Sequence, residues 1–467
     1  MIFHQYFLSC LSHASYLIGD ESSGLAVVVD PQRDVSGYQT DADAAGLRIT
    51  RVIETHVHAD FLSGHLELAG ATGAAICFGE GITADFPVET LADGQLLGMG
   101  RVTIEVRATP GHTPESISLV VYDHPSDEVA GGAPWGVLTG DTLFVGDVGR
   151  PDLLASQGAS ADRMARALYH SLHERLLTLP DATRVFPAHG SGSACGRSLS
   201  TETSSTVGQQ RRTNDALAPM SEDDFVALVT EGQPTAPAYF GYSSHRNREV
   251  RPLLDEHRPP AAMGLDDVVA ATGRGAVVLD TRDPADFAPC HLRRSLNVGL
   301  EGRFAEYAGD VLHPDDDLVL LCDDGRQLEA AVRLARIGFD RVAGAMADPA
   351  AALAGRPDLS TASERIPAPV LAERLARGED LVVVDVRDAG ERSQGAVPGS
   401  RHVPLASLLD RMGELDFARP VVTYCASGYR SSIAASLLAR NGHPGVADLL
   451  GGYDAWRRAA TPGGGTA

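Results

Sequence analysis

His56-Val57-His58-Ala59-Asp60 follows a run, Ile49 to Thr55, that reads as a β-strand. Alternating side chains on a loop at a strand end can converge on one cation, so this pentapeptide constrains the fold to one that gathers such loops. Three more stretches bring ligand-type residues: Thr109-Pro110-Gly111-His112, Leu138-Thr139-Gly140-Asp141 and Pro187-Ala188-His189. Between them Leu25 to Asp30, Val102 to Ala108, Ile117 to Tyr122 and Val137 to Thr139 also read as strands, with helices interleaved, which implies a layered α/β domain. In Ala161 to Leu179 the residues Met164, Leu168, Leu172 and Leu176 make one apolar helical stripe, leaving His170 and His173 toward solvent. His13, His65, His124 and His245 read as ordinary core or surface histidines.

At 467 residues the chain exceeds one ordinary core, and three domains are expected. Residues 1–262 form the first, including a polar connecting region, 193–262, that is Ser/Thr-rich near Ser198 to Thr206, Pro-rich near Gln233 to Pro237, and helical over Glu222 to Thr230. This region is expected to wrap the first domain. Residues 263–356 and 364–460 then repeat one plan. Ala276 to Arg282 and Leu381 to Arg387 both end in Asp-x-Arg, and Leu318 to Cys322 and Val421 to Cys425 both end in cysteine ahead of a helix. A period of roughly 100 residues means tandem domains and not a solenoid. The Gly-rich tail, Thr461 to Ala467, is expected to be disordered.

A formal net charge of −23 argues against nucleic acid or an anionic membrane as partner. No stretch approaches the roughly 20 apolar residues of a membrane helix, and Met1 to Gly19 lacks the basic start of a secretory leader, so a cytoplasmic location is expected. The six cysteines show no zinc-finger or disulfide-framework spacing.

The ordered set His56, His58, Asp60, His112, Asp141 and His189 resembles the metallo-β-lactamase superfamily. The resemblance implies an αββα sandwich at the N-terminus. Binuclear hydrolases of that superfamily carry a histidine where this chain has Phe61, which cannot ligate, so one metal is expected. Among mononuclear members the chain looks most like the persulfide dioxygenases, and Phe144 to Asp152 and Gly190 to Glu202 carry the same likeness. Carried over, it implies one Fe(II) on His56, His112 and Asp141, an open facial set, with zinc as the alternative. His58 would be a weak or indirect ligand, and Asp60 and His189 would hydrogen-bond around the site. Arg150 either binds a carboxylate of the thiol carrier or locks its loop onto Asp152. Cys195, just past the His189 loop, is either a persulfide relay or a packed thiol.

Cys425-Ala426-Ser427-Gly428-Tyr429-Arg430 lies between a strand and a helix, Ile433 to Asn441, where unpaired backbone N–H groups and the helix dipole stabilise an anionic sulfur or persulfide. Arg430 comes five positions after the cysteine, one fewer than in cysteine-dependent phosphatases. With Asp385-Val386-Arg387 and Gly451 to Trp456, this resembles the rhodanese family across nearly the whole module, so two rhodanese-like α/β domains with parallel sheets are expected. The family's histidine ahead of Pro398-Gly399 is absent. In the middle module Arg326 comes four after Cys322, Gly338 lies 16 after it against 17 from Cys425 to Gly442, and Asp323 and Asp324 adjoin the thiol. Acidic neighbours raise a thiol's pKa and repel anionic donors, so a non-catalytic rhodanese-like spacer is expected there.

These resemblances imply oxidation of a low-molecular-weight persulfide, by default glutathione persulfide, with O2 to sulfite. They also imply sulfur transfer to or from thiosulfate through Cys425 and Arg430, and a homo-oligomer, by family habit a dimer. The alternatives are a glyoxalase II-type thioester hydrolase and a persulfide-sensing or docking protein.

Overall fold

Alternation along two early strands decides the layering. In His13–Asp20 and Leu25–Val29, the residues Tyr16, Ile18, Val27 and Val29 join one apolar cluster, while Leu17, Ala26 and Val28 join another. The first cluster also takes Val102, Ile104, Val106, Leu119 and Leu138, so it lies between two sheets. The second takes Tyr38, Ala42 and Leu68 from the helices Ser36–Ala44 and His65–Thr72, which cover the outer face. A third cluster packs Leu168, Leu172 and Phe225 on Val120, Val137 and Val185, covering the far face of the other sheet. The result is helix, sheet, sheet, helix, as the resemblance implies.

The computed structural model describes residues 1–126, 132–153, 160–196, 199–233, 235–416 and 418–460. The Gly-rich tail and residues 197 and 198 of the Gly190 to Glu202 segment lie outside them. Each sheet of the sandwich has six strands. One runs in chain order from Ile2–Leu8 to Glu89–Leu91; the other runs from Ser205–Thr206 through Arg184–Pro187, Gly136–Gly140, Ile117–Tyr122 and Val102–Ala108 to Leu96–Met99. Helix Ala161–His170, capped by Ser160, widens into a π-helical segment, Ser171–Leu176, and all four stripe residues are buried. His170 faces solvent, whereas His173 is half-buried with its ring on Tyr169, because the wider turn rotates it back.

Two compact units emerge, the first holding residues 1–236 and 240–254, the second 237–239 and 255 onward. Within the first, Phe240–Leu254 returns to the sandwich through a buried charge clamp. Glu67 accepts from Arg33 Nε at 2.9 Å and Arg251 Nη2 at 3.0 Å, and takes the Leu254 N–H at 3.1 Å.

The second unit contains two parallel sheets. One orders Leu296–Asn297, Val277–Asp280, Leu318–Cys322 and Val342–Ala347; the other orders Glu364–Ile366, Val446–Leu449, Val421–Tyr424, Val382–Asp385 and Arg401–His402. The repeated Asp-x-Arg has a structural cause. Arg282 pairs with Asp280 at 2.7 Å and donates to the Cys290 carbonyl, and Arg387 pairs with Asp385 at 2.8 Å and donates to the Gly395 carbonyl. Each clamp ties a strand end to the segment that leaves it. Among the described residues no helix is long and apolar enough to cross a membrane.

Burial alone would raise the Glu67 carboxyl, but Arg251 and Arg33 hold it below its ordinary 4.5. The clamp therefore stabilises fully above that value and fades as pH falls through the lowered one. Glu67→Gln should destabilise the first unit by about 3–5 kcal/mol, since two buried guanidiniums lose their anion. Urea unfolding read by Trp135 fluorescence in a Trp456→Phe background at pH 7 checks this, and the gap should narrow as the pH is lowered below the glutamate range.

Candidate metal centre and cysteine loop

The strand ends of the sandwich deliver His56, His112 and Asp141 to one buried spot, where their ligand atoms lie within 4.8 Å of one another. His56 Nε2 stands 3.7 Å and His112 Nε2 3.5 Å from Asp141 Oδ2. Each is oriented from behind. Thr55 Oγ1 meets His56 Nδ1 at 3.0 Å, His112 Nδ1 donates to the Arg150 carbonyl at 2.8 Å, and His189 Nδ1 donates to Asp141 Oδ1 at 2.7 Å.

The charge states suit a cation. Burial, with His58 and His112 nearby, keeps His56 well below the usual histidine range, and burial lowers His112 against the pull of Asp141. Asp141 stays below its ordinary value despite burial, because His189 and His112 face it. Two neutral imidazoles and one carboxylate thus converge. Asp141 Oδ2 has no hydrogen-bond partner among the described residues, and a buried carboxylate oxygen left so fits a missing cation. The donor set therefore fits a metal ion.

The other predicted residues take different places. His58 turns Nε2 to Asp30 Oδ1 at 3.1 Å and Glu54 Oε2 at 3.3 Å; burial would lower it, but those carboxylates raise it well above its ordinary value. An imidazolium cannot ligate. Asp60 and His189 pair at 2.8 Å; burial opposes the charge, yet Asp141 and Asp60 push His189 up to about 10. Cys195 groups with these two, buried, its thiol pushed up by burial and by Asp60 and Asp141. Arg150 is buried and spends its guanidinium on Asp152, with two contacts of 2.7 Å, and on the Ala194 carbonyl at 3.2 Å. That is the loop-locking geometry.

Two neighbours of the site carry no sequence signal. His13 is buried with both ring nitrogens unpartnered among the described residues, its ring 4.1 Å from Phe61 and 5.6 Å from His189. A lone histidine opening a strand looks like any other. Asn247, in the connecting region, donates to the carbonyls of His58 at 2.9 Å and Phe61 at 2.8 Å and accepts the Ser63 N–H at 2.9 Å. It holds the ligand loop from a point 186 residues beyond Phe61.

In the second unit Cys425 Sγ is buried and receives the Gly428 N–H at 3.1 Å, where a φ of +110° turns the loop over the sulfur. Arg430 opens the helix Tyr429–Arg440 and is held in a fork by Glu391, both contacts 2.7 Å. Cys322 is fully buried, and its thiol is pushed up to about 11 by burial and by Asp280 and Asp323.

The metallo-beta-lactamase superfamily matches residues 8–189, and the rhodanese-like domain matches 265–345 and 368–459. The mitochondrial persulfide dioxygenase ETHE1 of Bos taurus is 34% identical over 221 residues, covering 46% of this chain and 75% of the relative. This chain belongs to the metallo-β-lactamase superfamily. The hydroxyacylglutathione hydrolase of Methylococcus capsulatus is 31% identical, covering 54% of this chain and 87% of its own length. A crystal structure of a metallo-beta-lactamase from Staphylococcus aureus superposes with a TM-score of 0.66 at 32% identity, covering 74% of this chain and 99% of that one. The likeness to that structure thus extends beyond the residues 8–189 that the superfamily matches. The expected family, with persulfide dioxygenases among its relatives and tandem rhodanese-like domains behind it, is borne out, as is the expected fold class.

A Cβ on Gly149 would sit 1.9 Å from the Asp141 carbonyl oxygen, and Asn247 fastens the loop carbonyls of His58 and Phe61. Gly149→Ala and Asn247→Ala should therefore each lower the metal bound per purified chain, with about 1–3 kcal/mol lost for the buried groups that Asn247 leaves unsatisfied. Elemental analysis beside a urea titration checks both.

Proposed function

We propose that the first unit oxidises a low-molecular-weight persulfide, by default glutathione persulfide, to sulfite, and that the second unit moves sulfane sulfur through Cys425. The supporting observation is the lone carboxylate oxygen of Asp141 facing two neutral imidazoles, beside a Phe61 that cannot complete a second site. His56, His112 and Asp141 would hold one Fe(II). Ferrous iron would supply the one-electron chemistry that lets dioxygen react with a thiol-derived sulfur. The balance is persulfide, O2 and water in, thiol, sulfite and two protons out.

The chain's own residues set the conditions. His189, bridging Asp141 and Asp60, holds a proton on Nδ1 toward Asp141 Oδ1, the oxygen turned away from His56 and His112, and a second on Nε2 toward Asp60. Phe61, its ring tilted against that of His58 with centroids 4.4 Å apart, would limit water on that side of the site. Asn247 and Thr55 hold the ligand loop in place. Cys195 and Cys425 are free thiols, as persulfide chemistry requires.

At Cys425, the Gly428 N–H and the start of the following helix support an anionic sulfur. A donor's terminal sulfur passes to the thiolate as its bond to the donor breaks, and sulfite then takes that sulfur to give thiosulfate; the reverse passes thiosulfate sulfur to a thiol. Arg430, steadied by Glu391, would orient the oxyanion. The buried Cys322 with its raised pKa fits a non-catalytic module.

Anaerobically purified protein should carry near one iron per chain and consume O2 with glutathione persulfide. Two zinc ions with turnover of a glutathione thioester and no uptake would replace this reading with a hydrolase. Cys425→Ser should lose thiosulfate:thiol sulfur transfer by about a thousandfold or more, as expected for removal of a covalent nucleophile. Oxygen uptake should persist, and Cys322→Ser should leave both activities unchanged.

A further inference from the structure

On a chain of formal net charge −23, arginines that lack carboxylate partners are conspicuous, and the second unit brings two together. A cavity of about 480 Å³ has Arg293, Arg294 and Arg440 in its wall and a single carboxylate, Glu364. Arg294 holds a left-handed φ of +64°, which costs a non-glycine residue energy and persists only where its surroundings enforce it. Its carbonyl accepts from Arg440 Nη1 at 2.9 Å, so the turn places both arginines at the same wall. Arg293 instead spends its guanidinium on the backbone carbonyl of Asp358 at 3.2 Å.

Neither Arg294 nor Arg440 forms an ion pair among the described residues. Burial weakens the hold of Arg440 on its proton, Asp316 opposes that, and the Arg294 charge adds a smaller push in the same direction as burial. Arg440 is half-buried and Arg294 exposed, and two like charges at one wall repel unless an anion lies between them. A guanidinium fork suits a tetrahedral oxyanion, and the cavity exceeds one such ion, falling within the range of small-molecule sites. Arg440 ends the helix that begins at Tyr429, about 17 Å of rise from the Cys425 loop, so the cavity is separate from that loop.

We propose that this cavity binds a tetrahedral phosphorus or sulfur oxyanion between Arg294 and Arg440, with room for an attached organic group. Two sources share that chemistry, a free sulfur oxyanion and the phosphate of a nucleotide-bearing thiol carrier. Either would let a small anion act on the second unit at a distance from Cys425.

Isothermal titration of the full chain at constant ionic strength, with inorganic phosphate, thiosulfate or adenosine 3′,5′-bisphosphate, tests this. Phosphate and the bisphosphate should bind equally in wild type and Cys425→Ser, thiosulfate is titrated in the Cys425→Ser background because Cys425 reacts with it, and binding should be about tenfold weaker or more when Arg294→Asn/Arg440→Gln is introduced, for loss of charge-assisted hydrogen bonds. Asparagine is chosen because it tolerates the left-handed turn. Tighter binding of the bisphosphate than of phosphate assigns the organic source; equal or tighter binding of thiosulfate assigns the free ion. Should the double variant melt early, the exposed Arg294→Asn alone should still weaken binding severalfold. Binding that survives in both variants, vanishes in Cys425→Ser, or is absent for all three anions would overturn the proposal.

Discussion

One oxygen of Asp141 accepts from His189 and the other faces His56 and His112 with no hydrogen bond of its own. Much of the first unit can be read as support for that asymmetry. A carboxylate buried this deeply stays ionised only because imidazoles surround it, and those imidazoles stay where backbone groups orient them. Gly149 passes so close to the Asp141 carbonyl that a methyl group would displace it. The sandwich brings four loops, distant in sequence, to one edge, and the apolar layer between its sheets keeps them rigid.

One device for buried charge recurs in both units, beside the carboxylate–imidazole pairs of the metal centre. Buried carboxylates are met by guanidiniums in forks: Glu67 by Arg33 and Arg251, Asp280 by Arg282, Asp385 by Arg387. A planar fork satisfies two lone pairs at once and leaves a donor for a nearby carbonyl, which lowers the cost of burying the pair. Arg150 follows the same pattern with Asp152, which makes it a brace for the carbonyl that orients His112. Against this economy, Arg294 and Arg440 are an exception, since neither forms a fork with a carboxylate and Glu364 is the one acid in the wall of their cavity.

Much of the site was legible because its residues recur in order at predicted strand ends: His56, Asp60, His112, Asp141 and His189 all meet. Their partition was not legible. His58 lies two residues from His56, yet it faces Asp30 and Glu54, because a side chain's partner depends on which strand end its loop meets. The choice between two roles for Arg150 likewise turned on a distance to Asp152. His13 and Asn247 were invisible, one for want of any motif and the other because it reaches the ligand loop only through the returning connecting segment.

Sequence by itself determined the layered sandwich, the tandem parallel-sheet modules, the inventory of candidate metal ligands and the cysteine loop. Each is written locally, in period-two alternation, in residue types at strand ends, or in an internal repeat. Tertiary structure alone decided which histidines are neutral, which carboxylate oxygen is left without a partner, and which arginines face one another. Those properties depend on burial and on neighbours within a few ångströms, and folding sets such distances between residues that the chain keeps far apart.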